Sequence, residues 1–524
     1  MRKWRQGIEK EDEMPKFYVT TPIYYVNQPP HLGTAYPTIT ADVIARYHRL
    51  FGQDVFFLTG TDEHGAKVAQ SAESVGKSPK QFCDEIADQF KKTWEALNIS
   101  NDHFIRTTDS EHERAVKWAL QRLYDGEYVY RDKYEGLYCV GCEQYIPKSS
   151  LVQGKCPLHR KEPELLTEEC YFFKLSQFQD ELLTRISKRE LKIEPVQREN
   201  EVLSFLRGEK LQDLAISRSK SKVRWGIELP FDRSHTTYVW VDAFLNYLTG
   251  IGWLWDREKF ERYWPADVHL IGKDILRVHA TIWPSLLLAL GVELPRKIFV
   301  HGFFTVNGQK MSKSLGNVID PVFLAGKYGV DALRYFILGA FPFGQDGDFS
   351  LQRLEHRYNA DLANDLGNLV SRLLAMVEKY RDGIIPTSGK EMEIDLNLRR
   401  LAERAFLEAD KCFREFAFSE ALARIWEFIR GINKYIDEVA PWSLAKKEEQ
   451  RERLDMVLYT ALEGLRIVAL LIRPFMPSTS KELWNQLSIE EKLETQRFPR
   501  ALEWGLLKPG IEVKRGKPLF PRIK

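Results

Sequence analysis

Two short stretches carry the residues best suited to phosphate chemistry. Pro29-Pro30-His31-Leu32-Gly33-Thr34 lies between an apolar, aromatic strand-like segment (17–25) and a helix-like one (35–50). A strand, a tight Gly/Pro turn and a helix start present N–H groups at the positive end of a helix dipole, where anionic charge is favoured. That dipole is worth about 0.3–2 kcal/mol, enough to orient a triphosphate but not to drive chemistry on it. A second source of positive charge is Lys310-Met311-Ser312-Lys313-Ser314. Neither GxxxxGK[ST] nor GxGxxG occurs, which argues against P-loop and dinucleotide chemistry. A third constellation, Cys139-x2-Cys142-x13-Cys156-x2-His159, has the spacing of two knuckles that close a tetrahedral Zn²⁺ site, with Cys170 as the alternative fourth ligand. Four protein ligands leave no position for a catalytic water, so such a zinc would fold its segment.

These groups must be held by a large scaffold. The chain has 524 residues, 44% hydrophobic and 29% charged, with a net charge of +2, which fits roughly three or four globular domains. Near-neutrality means that a nucleic acid would meet local basic patches and not a global field. No run of 18 apolar residues occurs, so no membrane role is expected. The N-terminal 16 residues have mixed charge and no apolar core, unlike a secretory signal; residues 1–13 read as an extension before Met14. Cys83, Cys170 and Cys412 are scattered and no disulfide framework is suggested, so a reducing, cytoplasmic setting is expected.

Strands are predicted over 17–24, 54–60 and 102–107, and helices over 35–50, 79–97 and 111–126. This alternation implies an α/β fold with a parallel sheet whose ligands bind at the strands' carboxyl ends. His31 follows the first strand, and Thr61-Asp62-Glu63-His64-Gly65 follows the second. The rhythm breaks over about 128–224 and resumes at 235–241, 268–271, 276–291 and 297–304. Asn307-Gly308 is a hairpin turn signal just before the lysine run. From 351 to about 486 the pattern is helical, as in Leu362, Leu366, Leu369 and Leu373, which predicts a bundle. The expected organisation is an extension (1–13), a Rossmann-like catalytic domain in two halves (14–127 and 231–305), an inserted zinc-knuckle segment (128–230), a region carrying the lysine run (306–355), a helix bundle (356–507) and a strap (508–524).

Taken singly, His31-Leu32-Gly33 is an ordinary turn and Lys310–Ser314 a solvated loop. Together and in this order they resemble the two signatures of class I aminoacyl-tRNA synthetases, and along nearly the whole chain the surroundings are similar to methionyl-tRNA synthetases. The resemblance implies that an amino-acid carboxylate attacks the α-phosphate of ATP and that the acyl group then passes to tRNA, a reaction served by positioning and charge stabilisation. It assigns His31, Gly33, Thr34, Lys310, Ser312, Lys313 and Ser314 to ATP, with His31, Lys310 and Lys313 catalytic, and Mg²⁺ accompanying the phosphates. Thr34 departs from the usual final histidine of the first signature; it can donate to a phosphate but carries no charge. The methionine pocket implied is Pro22, Ile23, Tyr25, Asp62, Arg218, Trp240, Ala243, Phe244, Tyr247, Ile275 and His279. In it Asp62 takes the ammonium, and aromatic rings suit a thioether. The inserted segment is similar to the family's connective peptide, in which zinc knuckles lie over the active site. Asn368, Arg372 and Trp442 match the contacts to the CAU anticodon of tRNA(Met), initiator tRNA included, where edge bonds and stacking read unpaired bases. Absence of a further C-terminal domain implies a monomer.

Synthetases for leucine, isoleucine or valine carry an editing domain larger than the insert of about a hundred residues. The cysteine enzyme would place a metal among pocket residues, where this pocket is aromatic. A tRNA- or RNA-binding module without activity would show damage to HLGT or KMSKS, and a general nucleotidyltransferase would need neither the bundle nor KMSKS.

Overall fold

The computed structural model describes residues 14–141, 144–146, 150–306, 308–311 and 317–523, and of the side chains at 134, 135, 144, 145, 166–168 and 310 nothing is said. The first half runs β1 (Lys16–Thr20), β2 (Tyr24–Tyr25), α1 (Leu32–Leu50), β3 (Asp54–Asp62), α2 (Ala66–Ser74), α3 (Pro79–Ala96), β4 (His103–Arg106) and α4 (Ser110–Asp125). An excursion follows with β5 (Val129–Cys139), β6 (Gln144–Tyr145) and β7 (Glu164–Phe173). The chain returns through α5 (Gln179–Ser187), β8 (Lys192–Glu194) and α6 (Val196–Gly208), then forms β9 (Leu214–Ala215), β10 (Ser217–Ser219) and β11 (His235–Thr237). Next come α7 (Val239–Phe244), α8 (Asn246–Thr249), α9 (Arg257–Tyr263), β12 (Val268–Gly272), α10 (Leu276–Leu290) and β13 (Lys297–His301).

The main sheet is parallel, in the order β2-β3-β1-β12-β13-β8, with β4 also on β3. Both faces are covered. Along β3 the side chains alternate, Val55 and Phe57 into the core that holds α1, Phe56 and Leu58 into the core that holds α4 and α10. That is the period-two signature of a doubly wound sheet. At Gly60 a Cβ would meet the Ile105 carbonyl at 2.1 Å, so only glycine lets β3 and β4 approach there.

Three predicted features come out differently. The strand expected over 17–24 stops at Thr20, because Pro22 has no N–H for the ladder, and pairing resumes at Tyr24. Residues 235–241 do not rejoin the main sheet: His235–Thr237 pairs antiparallel with Ser217–Ser219, and the β-prone residues Val239, Trp240 and Val241 are helical. Burial on more than one side, with Val239, Val241 and Phe244 all buried, overrides their strand propensity. Finally, the insert expected over 128–230 is interrupted. Lys192–Glu194 pairs parallel with Lys297–Phe299, so α5, β8 and α6 extend the main sheet at its edge. The excursion proper is a four-stranded sheet in the order β6-β5-β7-β9.

Beyond β13, strands β14 (Phe304–Val306) and β15 (Gln309–Lys310) pair antiparallel around Gly308 (φ +72°), as expected for a hairpin; Asn307 lies outside the described residues. Helices α11 (Pro321–Tyr328) and α12 (Val330–Gly339) and strand β16 (Gly347–Asp348) lead to α13 (Leu351–Arg357), a π-helical stretch (Tyr358–Gly367) and α14 (Asn368–Arg381). The bundle continues with α15 (Glu393–Arg414), α16 (Phe418–Val439), α17 (Pro441–Leu444), α18 (Arg451–Ile472) and α19 (Pro477–Gln486). Its apolar core is continuous with the α1 face of the sheet. The final segment lies along the bundle, with Val513 donating to the Gly383 carbonyl. Among the described residues no helix is long and apolar enough to cross a membrane.

Candidate active site

Two adjoining cavities open at the carboxyl edge of the main sheet. They share Pro22, Tyr24, Gln28, Asp274 and Ile275. The first, of about 290 Å³, is lined by His31, Gly33, Thr34, Gly272, His301 to Phe304 and Met311. His31 is the N-cap of α1: its Nδ1 accepts from the Gly33 N–H at 3.0 Å, and Thr34 Oγ1 accepts from the His31 N–H at 3.0 Å. A Cβ on residue 33 would sit 2.9 Å from the His31 ring, so the motif's glycine makes room for the capping imidazole.

This geometry corrects one expectation. The helix-start N–H groups are not open to an anion here, since Leu32 donates to Ile319, Gly33 to the His31 ring, and Thr34 and Ala35 to the His31 carbonyl. The Thr34 hydroxyl likewise donates to the His31 carbonyl at 2.8 Å. Capping satisfies the orphan donors, leaving the dipole and the His31 ring as the local contribution. Of the lysine run, Met311 is buried and lines this cavity. Ser312, Lys313 and Ser314 lie outside the described residues, as does the side chain of Lys310.

The second cavity, of about 410 Å³, gathers Pro22, Ile23, Tyr25, Asp62, Trp240, Ala243, Phe244, Tyr247, Ile275 and His279. These come from β2 and the ends of β1 and β3, from α7 and α8, and from the N-cap and first turns of α10. His279 Nδ1 meets the Ile275 carbonyl at 2.9 Å and its Nε2 meets the Tyr247 hydroxyl at 2.9 Å. Burial pushes the imidazole down to about 4, so it is neutral near pH 7, with Nδ1–H donating and Nε2 accepting. Its ring stands edge-on to Phe244 at 4.9 Å. Arg218 is the one expected member that the structure does not bring to this cavity. It is buried, its guanidinium lying 4.9 Å from the Tyr238 ring centre and 5.4 Å from that of Tyr138.

Sequence reasoning missed several residues at the site. Asp274, His301 and Phe303 follow β12 and β13; the rule that ligands gather beyond strand ends would have flagged them. A buried cluster below the second cavity had no such signal. Both oxygens of Asp242 are held by imidazoles, Oδ2 by His64 Nδ1 at 2.7 Å and Oδ1 by His112 Nε2 at 2.8 Å. Burial would raise the Asp242 carboxyl, but His64 and His112 overcome it and keep it below its ordinary value. Burial would lower His64, and Asp242 outweighs this and raises it. Beside them Glu63 takes two bonds from Arg106, at 2.7 and 2.8 Å.

Over the second cavity lies the Gly141 turn of the excursion. Cys139 Sγ and Cys156 Sγ each sit 3.8 Å from His159 Nδ1, and all three ligand atoms lie within 4.8 Å of one another. With metal–sulfur bonds of about 2.3 Å and metal–nitrogen bonds of about 2.0–2.1 Å, a tetrahedral site has sulfur–nitrogen edges of about 3.6 Å, close to these separations, so the donors fit a zinc ion. A Cβ at Gly141 would meet the His159 ring at 2.6 Å, so the turn closes tightly on its ligand. Cys142 lies outside the described residues; Cys170 is buried in a separate cluster with Phe172 and Ala215.

On the bundle, Asn368 and Arg372 line a groove with Asn364, Arg430, Asn433 and Asp437. Arg372 donates to Asp437 Oδ1 at 2.7 Å and Asn433 Oδ1 at 3.1 Å. Trp442 is 42% exposed on α17 but is not part of that groove's lining.

Comparison with known proteins gives a consistent result. A family model described as "tRNA synthetases class I (M)" matches residues 17–163 and 158–374, and one described as "Anticodon-binding domain of tRNA ligase" matches 395–515. A methionine–tRNA ligase of Caldanaerobacter subterraneus is 49% identical over 508 residues, 97% of this chain and 79% of the relative. One of Streptomyces coelicolor is 45% identical over 99% of this chain and 98% of the relative. The structure of Mycobacterium tuberculosis methionyl-tRNA synthetase in complex with methionyl-adenylate superposes with a TM-score of 0.92 at 43% identity, covering 97% of this chain and all of that one.

Proposed function

The chain belongs to the methionine–tRNA ligase family of class I tRNA synthetases, and from that premise we propose how its cavities divide the work. It activates L-methionine with ATP to methionyl-adenylate, releasing diphosphate, and transfers the methionyl group to the 3′ end of tRNA(Met). The observation that carries this reading is that ten of the eleven residues expected to hold methionine line one cavity, and that this cavity shares a wall with the one at His31 and Met311.

Methionine lies with its ammonium toward Asp62 and its thioether among Trp240, Phe244, Tyr247 and His279, where sulfur–aromatic contacts add about 0.3–1.5 kcal/mol. Neutral His279 suits an uncharged side chain, since burial outweighs the nearby Asp274 and disfavours an imidazolium there. The carboxylate then faces the shared wall, beyond which His31 contacts the phosphates. Lys310 and Lys313 meet the charge that develops on them; losing such a preorganised contact typically costs on the order of 10²–10³ in rate. Mg²⁺ bound with ATP would supply neutralisation of charge on the phosphates. Cys139, Cys156 and His159, with Cys142 as expected fourth ligand, hold a structural zinc that folds the turn over the methionine cavity. The bundle takes the CAU anticodon through Asn368, Arg372 and Trp442; Arg372 exchanges its Asp437 and Asn433 bonds for base edges. We place the chain in the cytoplasm, acting as a monomer.

The test is amino-acid-dependent ATP–pyrophosphate exchange with all twenty amino acids. Exchange with methionine alone is expected. Exchange with another amino acid would overturn the pocket, and none at all from folded protein would favour a binding role without chemistry.

A further inference from the structure

We propose that Asp242, clamped between His64 and His112, is a positioning residue that fixes the distance between the Asp62 carboxylate and the aromatic wall of α7 and α8, and so sets which side-chain length the cavity accepts. The inference rests on the assignment of the second cavity to methionine. Asp62 ends β3, and His64 follows two residues later. Trp240, Ala243 and Phe244 share the six-residue α7 with Asp242. The His64–Asp242 bond therefore ties the element that bears the ammonium's partner to the element that bears the thioether's wall. His112 ties the same carboxylate to α4, and its Nδ1 meets Thr249 Oγ1 at 2.7 Å, which draws in α8, the helix of Tyr247.

The rest of the β3 exit loop is anchored by separate bonds. Glu63 is held by Arg106 on β4, and its carbonyl accepts from the Trp225 indole at 2.5 Å. With that side fixed, the separation of Asp62 from α7 is set through the imidazole–carboxylate bonds. All three members are within 4% of full burial, and their only charged neighbour at ion-pair range among the described residues is Glu113, 3.9 Å from His64 Nε2. Such short, buried bonds hold geometry better than packing of the small helix alone, and a displacement of about 1 Å at a binding constellation is costly. A ruler of this kind distinguishes methionine from analogues one methylene longer, which a merely apolar pocket does weakly.

The experiment measures pyrophosphate exchange for wild type, His64→Ala, His64→Asn and Asp242→Asn with methionine, ethionine and ATP varied separately. Asparagine places its amide N–H where imidazole Nδ1 stood, so His64→Asn keeps the bond to Asp242. His64→Ala and Asp242→Asn are expected to raise the methionine KM at least tenfold with the ATP KM within twofold. The methionine-to-ethionine ratio of kcat/KM should fall at least fivefold, and His64→Asn should stay within threefold of wild type. An unchanged ratio, methionine and ATP KM values that rise together, or a His64→Asn as impaired as His64→Ala would overturn the proposal. If Asp242→Asn does not fold, the two His64 variants decide. A wild type that exchanges no methionine would strike down the pocket assignment itself, which the same assay reports first.

Discussion

Replacing Arg334 should loosen the joint between the catalytic sheet and the bundle, and by more than a surface ion pair would. Arg334 and Asp42 are both fully buried, and Nη2 meets Asp42 Oδ2 at 2.6 Å. The guanidinium also donates to the carbonyls of Phe475 (2.8 Å), Pro474 (3.1 Å) and Leu97 (3.3 Å), so one side chain joins α1, α12 and the α18–α19 turn. Removing one partner of a buried pair costs about 3–5 kcal/mol. The two partners are not equivalent. Asp42 keeps Arg46 at 2.7 Å and the Ser100 N–H and hydroxyl at 2.7 and 2.6 Å, so Arg334→Met should cost about 3 kcal/mol, the low end. Arg334 has no other carboxylate at ion-pair range among the described residues, so Asp42→Asn strands a buried cation and should cost about 5 kcal/mol, the high end.

The same pair predicts an acid dependence. Burial would raise the Asp42 carboxyl, but Arg334 and Arg46 overcome it and hold it at about 2 against an ordinary 3.8. A depressed folded value means stabilisation that is complete above 3.8 and is lost as pH falls toward 2, worth about 2 kcal/mol. Urea unfolding of wild type, both single variants and the double variant, at pH 7 and across pH 2–4, gives the cycle. The first transition is the readout, since a chain of several domains need not unfold in one step. A loss under 1 kcal/mol for either variant, or Arg334→Met more damaging than Asp42→Asn, would refute the reasoning.

Three further outcomes are expected. Tyr247→Phe leaves His279 Nε2 a buried acceptor without its donor, a penalty of about 1–3 kcal/mol; the methionine KM should rise roughly 5- to 160-fold with the ATP KM unchanged, and equal rises would refute the contact. Trp442→Ala should leave pyrophosphate exchange intact while the KM for tRNA charging rises by a factor corresponding to about 1–3 kcal/mol of lost stacking; parallel losses in both steps would mean that Trp442 is structural. Atomic absorption should find one zinc per chain, and Cys156→Ala or a strong chelator should remove it and expose the Cys139 thiol to a thiol reagent; wild type isolated without zinc, or Cys139 reactivity unchanged by the chelator, would overturn the site.

Much of this was readable from local order along the chain. His31, Gly33 and Thr34 act on one another within a single helix turn, so their spacing, taken together with the downstream lysine run, marks the motif. The knuckle ligands come in pairs with two residues between them, and the parallel sheet follows from alternating strand and helix patterns, because these are short-range regularities along the chain. Other features needed the folded chain. Lys192–Glu194 is three residues long, too short for any periodicity, and became a sheet edge only because β13 offered it partners. Asp242 lies 178 residues from His64 and 130 from His112, and no local pattern marks a histidine whose counter-charge arrives from so far away. Of the helix-start N–H groups, those of Gly33, Thr34 and Ala35 are closed locally by His31, and that of Leu32 by the Ile319 carbonyl from a distant segment. Spacing along the chain fixes which groups can act together within a turn or a strand. Which buried charges neutralise one another, and which cavity wall an aromatic run becomes, depends on desolvation and packing, and these exist only once the chain has closed on itself.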